Sequence, residues 1–101
     1  MLDYEIQRQT LTVRLRDELD HRAATLLRGE LDELLRDAGI RRLVFDLRKL
    51  NFMDSSGVGF IIGRYKLMAR RGGSVAVKNA DGRMDRIFRM SGLYEIVERM
   101  A

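Results

Sequence analysis

Leu2, Tyr4 and Ile6 alternate with polar neighbours, and Leu11, Val13 and Leu15 alternate with Thr12, Arg14 and Arg16. Period two over both runs predicts two half-buried strands, and the short link Arg8-Gln9-Thr10 joins them as an antiparallel hairpin. The period then changes. Ala24, Leu27, Leu31, Leu34, Leu35 and Ala38 recur three and four apart, one face of a helix, with Asp20 as its N-cap and Gly39 as its stop. Gly29 inside that helix costs up to about 1 kcal/mol relative to Ala. Leu43-Val44-Phe45 is a continuous apolar run, as a buried central strand requires. After a loop around Arg48 to Asn51, a second helical period runs through Val58, Ile61, Ile62, Tyr65, Met68 and Ala69 and ends at Gly72-Gly73. Ser74 to Lys78 reads as a strand. Met84, Ile87 and Phe88 give a third helix stopped by Gly92, and Ile96-Val97 a last short strand. The order β-β-α-β-α-β-α-β predicts an α/β fold with a mixed, mostly parallel sheet, an N-terminal antiparallel hairpin and helices packed on it.

Composition narrows the function classes. The 101 residues suit one domain, 1–101, with no repeat, linker or low-complexity segment. There is no cysteine, so no disulfide framework and no thiolate metal site. No apolar run nears the roughly 20 residues that span a bilayer, and the polar start MLDYEIQRQT is no signal peptide. The expected location is the cytoplasm, with no membrane partner. Lys and Arg number 19 against 15 Asp and Glu, a net charge of +4. The cations are scattered among acids, as in RLRDELDHR, and the pairs Arg41-Arg42 and Arg70-Arg71 fall at element edges. That distribution predicts a solvated mixed-charge surface and no nucleic-acid partner.

The informative stretch is Phe52-Met-Asp-Ser-Ser-Gly-Val-Gly-Phe-Ile-Ile-Gly-Arg-Tyr-Lys66, where a central strand hands over to a helix. In open α/β sheets the carboxyl edge is where ligands and partners are met. Asp54 and Ser55 fall at the N-cap, with Gly57 and Gly59 keeping the first turn uncluttered. A helix start offers unpaired N–H groups and about half a positive charge, enough to hold a phosphoryl group on Ser55 beside the like charge of Asp54. The same Asp-Ser-Ser-Gly is also an ordinary capping sequence, and the residues alone do not separate the two. A nucleophilic Ser55 would need a base; His21 is the only histidine, and neither a third triad member nor an oxyanion motif is present, so no enzyme is expected. Asp46 and Asp54 without spaced histidines are a weak metal signal, and no metal is expected. Gly57-Val-Gly59-Phe-Ile-Ile-Gly63 misses G-x-G-x-x-G by one residue, and Lys78 stands near where an acid should grip a ribose. No nucleotide cofactor is expected, and these glycines read as helix-packing and cap positions.

Glu18-Leu19-Asp20-His21, Phe52-Met53-Asp54-Ser55-Ser56-Gly57, Gly63-Arg64-Tyr65-Lys66 and Met90-Ser91-Gly92-Leu93 together carry a resemblance over nearly the whole chain. The sequence resembles the STAS family, the domain shared by sulphate transporters and anti-sigma factor antagonists, and within it the antagonists of the sporulation branch. The resemblance implies a single STAS domain that binds an anti-sigma factor, itself a serine kinase, and so releases a sporulation sigma factor. It implies phosphorylation of Ser55 with ATP as the inactivating step and a cognate serine phosphatase that reverses it. Asp20, His21, Asp54, Ser55, Ser56 and Gly57 would form the docking face. A general-stress-type antagonist, which shares the Asp-Ser-(Ser/Thr)-Gly core, or a STAS scaffold protein is the alternative. Three departures stand out: Asp17 where the family has glycine, Arg22 where a second histidine is common, and an end at Ala101 where relatives continue into a helix.

Overall fold

The computed structural model describes residues 2–101. Its elements are β1 (Asp3–Gln7), β2 (Thr10–Leu19), α1 (His21–Leu34), β3 (Arg42–Met53), α2 (Ser55–Arg70), β4 (Ser74–Lys78), α3 (Gly82–Met90), a 3-10 turn (Leu93–Glu95) and β5 (Glu98–Arg99). The sheet runs β1-β2-β3-β4-β5 in space. β1 pairs antiparallel with β2, and every other pair is parallel. Each parallel crossover advances one strand in the same direction. With right-handed crossovers, that places all three helices on one face.

The register shows which face. Leu11, Leu43 and Val75 lie in one row across the sheet, and Val13, Phe45 and Val77 in the next. All six are buried within a single core with Leu31 of α1, Ile61 and Met68 of α2, and Met84 and Phe88 of α3. The opposite face carries Thr12, Val44 and Ala76 in one row and Arg14, Asp46 and Lys78 in another. It is laced by ion pairs: Arg14 with Asp3 and Glu5, Arg16 with Asp3, and Arg42 with Glu98. The aliphatic core of Leu, Ile and Val is closed by the aromatic pair Phe45–Phe60, with ring centroids 5.8 Å apart.

Three details depart from the sequence reading. β3 is a 12-residue strand, and the expected loop at Arg48 to Asn51 lies within it. Its second half pairs only with β2, through two register shifts in each of which β3 carries one extra residue. Those bulges keep Leu47, Leu50 and Met53 on the buried face at intervals of three, a spacing that period two does not catch. The last strand is Glu98–Arg99 rather than Ile96-Val97; a 3-10 turn occupies Leu93–Glu95, with Gly92 left-handed at φ 78° before it. Helix α1 also stops at Leu34, ahead of Gly39, and Arg71 of the next helix end donates to the carbonyls of Asp37 and Ile40 beyond it.

Candidate functional site

Three adjacent parallel strands end at the same edge, and each hands over to a helix through an aspartate. Asp20 accepts from Ala23 N at 2.9 Å, Asp54 from Ser56 N at 2.9 Å and Asp81 from Met84 N at 2.8 Å. Asp is favoured at this position because its carboxylate satisfies one of the orphan N–H groups of the first turn. Leu19 and Met53 face each other as the last paired residues of β2 and β3. Asp20-His21 and Asp54-Ser55 therefore leave the sheet side by side, with two helix N-termini pointing to one surface.

Ser55 is the first residue of α2 and is exposed. Its hydroxyl makes no hydrogen bond among the described residues, whereas Asp54 is engaged twice: its carboxylate by Ser56 N and its carbonyl by Gly57 N at 3.0 Å. A phosphoryl group at this position would meet the positive end of the helix dipole and its free N–H groups.

The predicted residues do not all share one cavity. His21 and Ser56 line a groove of about 250 Å³ between α1 and α2, together with Arg28 and Arg64. Asp20 lines a separate, wider hollow with Glu18, Arg22 and Leu26. Gly57 is buried under the turn, where a Cβ would meet Met53 and the Leu19 carbonyl. Gly59 and Gly63 are different: a Cβ on either meets nothing within 4 Å, so neither is a packing glycine. The sequence reading assigns no site role to Phe52, which it places within the informative stretch, or to Arg83. Phe52 is 36 % exposed, and the Arg83 guanidinium at the start of α3 lies 5.7 Å from its ring centroid, at the same sheet edge. The signal was available in Asp81-Gly82 ahead of the Met84, Ile87, Phe88 period.

Asp46 and Asp54 do not converge. Asp46 lies within β3 on the helix-free face, held by Asn79 Nδ2 at 2.9 Å and the Arg48 N–H at 3.1 Å. Burial raises its carboxyl, but these two donors with Lys78 and Arg48 leave it below the usual carboxylate range. Among the described residues, no group of three or more His, Asp or Glu side chains forms a metal-ligating cluster, and no helix is long and apolar enough to cross a membrane.

Comparison with known proteins gives this geometry its context. The STAS domain family matches residues 1–101. The anti-sigma F factor antagonist of Paenibacillus polymyxa is 41% identical over 96 residues, covering 95% of this chain and 82% of that protein. The anti-sigma-B factor antagonist of Bacillus subtilis (strain 168) is 29% identical over 97 residues, 96% of this chain and 87% of that protein. Among solved structures, the anti-sigma factor antagonist SpoIIAA superposes in its unphosphorylated form with a TM-score of 0.80 at 26% identity, over 100% of this chain and 88% of that one. The phosphorylated form of SpoIIAA from Bacillus gives 0.79 at 28% identity, over 100% and 92%. The chain belongs to the STAS domain family.

Proposed function

We propose that this protein is an anti-sigma factor antagonist whose binding is switched off by phosphorylation of Ser55. Unphosphorylated, it binds an anti-sigma factor that is also a serine kinase and frees a sporulation sigma factor. The observation that carries this reading is the placement of Ser55: an exposed, unengaged hydroxyl at a helix N-terminus, beside Asp20-His21. The 41% identity to an anti-sigma F factor antagonist and the fold shared with SpoIIAA, solved with and without phosphate, support it.

In the kinase step the Ser55 Oγ attacks the γ-phosphorus of ATP, ADP departs, and the hydroxyl proton passes to a base of the kinase. A cognate serine phosphatase returns the hydroxyl by hydrolysis, releasing phosphate. The added charge of about −1.5 to −2 sits next to Asp54 on a docking face formed by Asp20, His21, Asp54, Ser55 and Ser56, with Gly57, expected on that face from the sequence, buried beneath it. Like-charge juxtaposition and desolvation at an interface cost several kcal/mol, enough to turn binding off without refolding the domain. The B-type antagonist of Bacillus subtilis is a weaker match at 29% identity, which favours the F-type partner over a general-stress one.

The test is intact-mass analysis after incubation with ATP and the purified anti-sigma F factor of Paenibacillus polymyxa. One phosphate on the wild type and none on Ser55→Ala is expected. No phosphate on either, with the kinase active on the Paenibacillus polymyxa antagonist, overturns the assignment to the switchable class.

A further inference from the structure

Arg64 is the one cation buried among the described residues, only 6 % exposed in the middle of α2. Its guanidinium lies 5.3 Å from the Phe60 ring centroid, and Nη1 donates to the Phe60 carbonyl at 3.3 Å. Nε stands 2.8 Å from Asp32 Oδ1 of α1 but off the hydrogen-bond line, so both buried atoms lack a hydrogen bond. Arg28, one turn before Asp32, lines the same groove and makes no ion pair among the described residues. Burial lowers the Arg64 guanidinium, Asp32 opposes that shift and Arg28 adds to it. Two guanidiniums thus line a half-enclosed groove, and only Arg64 is paired with a carboxylate, leaving an excess positive charge there.

The groove floor adds an independent observation. Gly59 and Gly63 line it, and a Cβ on either would stand in open space. Glycine inside a helix costs about 1 kcal/mol relative to Ala, and no contact within this chain calls for it at either position. The two glycines keep the groove low between Ser56 and Arg64. A free anion would need only the arginine end; bare backbone along the floor suits a polypeptide segment lying over it.

We infer that the groove between α1 and α2 receives an acidic side chain of the anti-sigma partner, its carboxylate bound by Arg28 and Arg64 and its backbone resting over Gly59 and Gly63. This rests on the function proposed above and extends the docking face from His21 and Ser56 along α2. Arginine is suited to the task, since its planar fork donates to a carboxylate in bidentate fashion and is less strongly hydrated than an ammonium.

Titration calorimetry against the purified anti-sigma F factor of Paenibacillus polymyxa tests it with wild type, Arg28→Glu, Gly63→Leu and, as a control, Arg36→Glu at an exposed site beyond α1. Arg28→Glu and Gly63→Leu are expected to bind about tenfold more weakly or worse, and Arg36→Glu within about twofold of wild type. Melting curves establish that each variant is folded; Arg28 is exposed, so the charge reversal decides the matter even where the leucine disturbs the helix. Wild-type affinity in both groove variants overturns the groove while leaving the proposed function standing. A wild type that does not bind overturns both. Thermal stabilisation by inorganic phosphate that is lost in Arg28→Glu, with partner affinity unchanged, gives the groove to a small anion and overturns the inference.

Discussion

The carbonyl of Leu19, the last residue of β2, lies 3.1 Å from where a Cβ on Gly57 would stand. The Met53 side chain fills the rest of that space, with its Sδ 2.8 Å from the same point. The missing side chain lets the first turn of α2 close onto the end of β2 and fixes Asp54-Ser55 against Asp20-His21. Gly57→Ala therefore forces either β2 or the Asp54–Ser56 turn outward. We expect a loss of about 1–3 kcal/mol in denaturant unfolding and a weaker complex with the anti-sigma factor, since both halves of the proposed docking face move.

Gly59 and Gly63 give the opposite result. With nothing within 4 Å of the added methyl, alanine gains helix propensity at no steric cost. Gly59→Ala and Gly63→Ala should each stabilise the domain by about 0.5–1 kcal/mol, read as a raised urea midpoint. A drop in midpoint for either contradicts the open groove.

Asp85 holds the end of the chain to α3. It accepts from Arg99 Nη2 at 3.0 Å and Nε at 3.2 Å and from the Tyr94 hydroxyl, while Phe88 packs edge-on against Tyr94 at 5.5 Å. Hydrogen bonds from Arg99 and Tyr94 hold its carboxyl below the usual range. A folded-state pKa below the unfolded one contributes stability above the unfolded value of 3.8 and loses it as pH falls through the folded value. Wild type should lose more melting temperature than Asp85→Asn on going from pH 5 to pH 3. At neutral pH Asp85→Ala should cost about 2 kcal/mol, as expected for losing hydrogen bonds to a charged group. Burial and the Asp85 bond push the Tyr94 phenol up to about 12, so Tyr94→Phe should remove an absorbance step near that pH.

Asp17 sits in the left-handed region at φ 61°, beside a register shift between β2 and β3. Aspartate tolerates this conformation better than most residues, but glycine adopts it without strain. Asp17→Gly should raise stability by up to about 1 kcal/mol and Asp17→Val should lower it by about 1–2 kcal/mol in equilibrium unfolding.

The hairpin, the three helices, the caps Asp20 and Asp54 and the Gly92 stop were legible because each rests on local periodicity or local capping chemistry. The second half of β3 was not. Leu47, Leu50 and Met53 stay buried through two bulges that only the pairing with β2 reveals. The end of the chain misled for a related reason: Leu93 and Val97 are buried by a 3-10 turn, so an apolar pair that reads as strand marks the residues just before one. At the candidate site, the sequence brought Asp20 and Ser55 forward as caps, and the resemblance gave them a role. That they emerge side by side follows from the parallel register of Leu19 with Met53. The Arg28–Asp32–Arg64 cluster was out of reach, because it needs the α1–α2 crossing that no single helix encodes.

The most direct measurement is the affinity of the anti-sigma F factor of Paenibacillus polymyxa for this protein before and after stoichiometric phosphorylation of Ser55. The account predicts tight binding before, a loss of about a hundredfold or more after, and retention of binding in Ser55→Ala, with unchanged circular dichroism throughout. Equal affinity of the phosphorylated and unphosphorylated protein would contradict it.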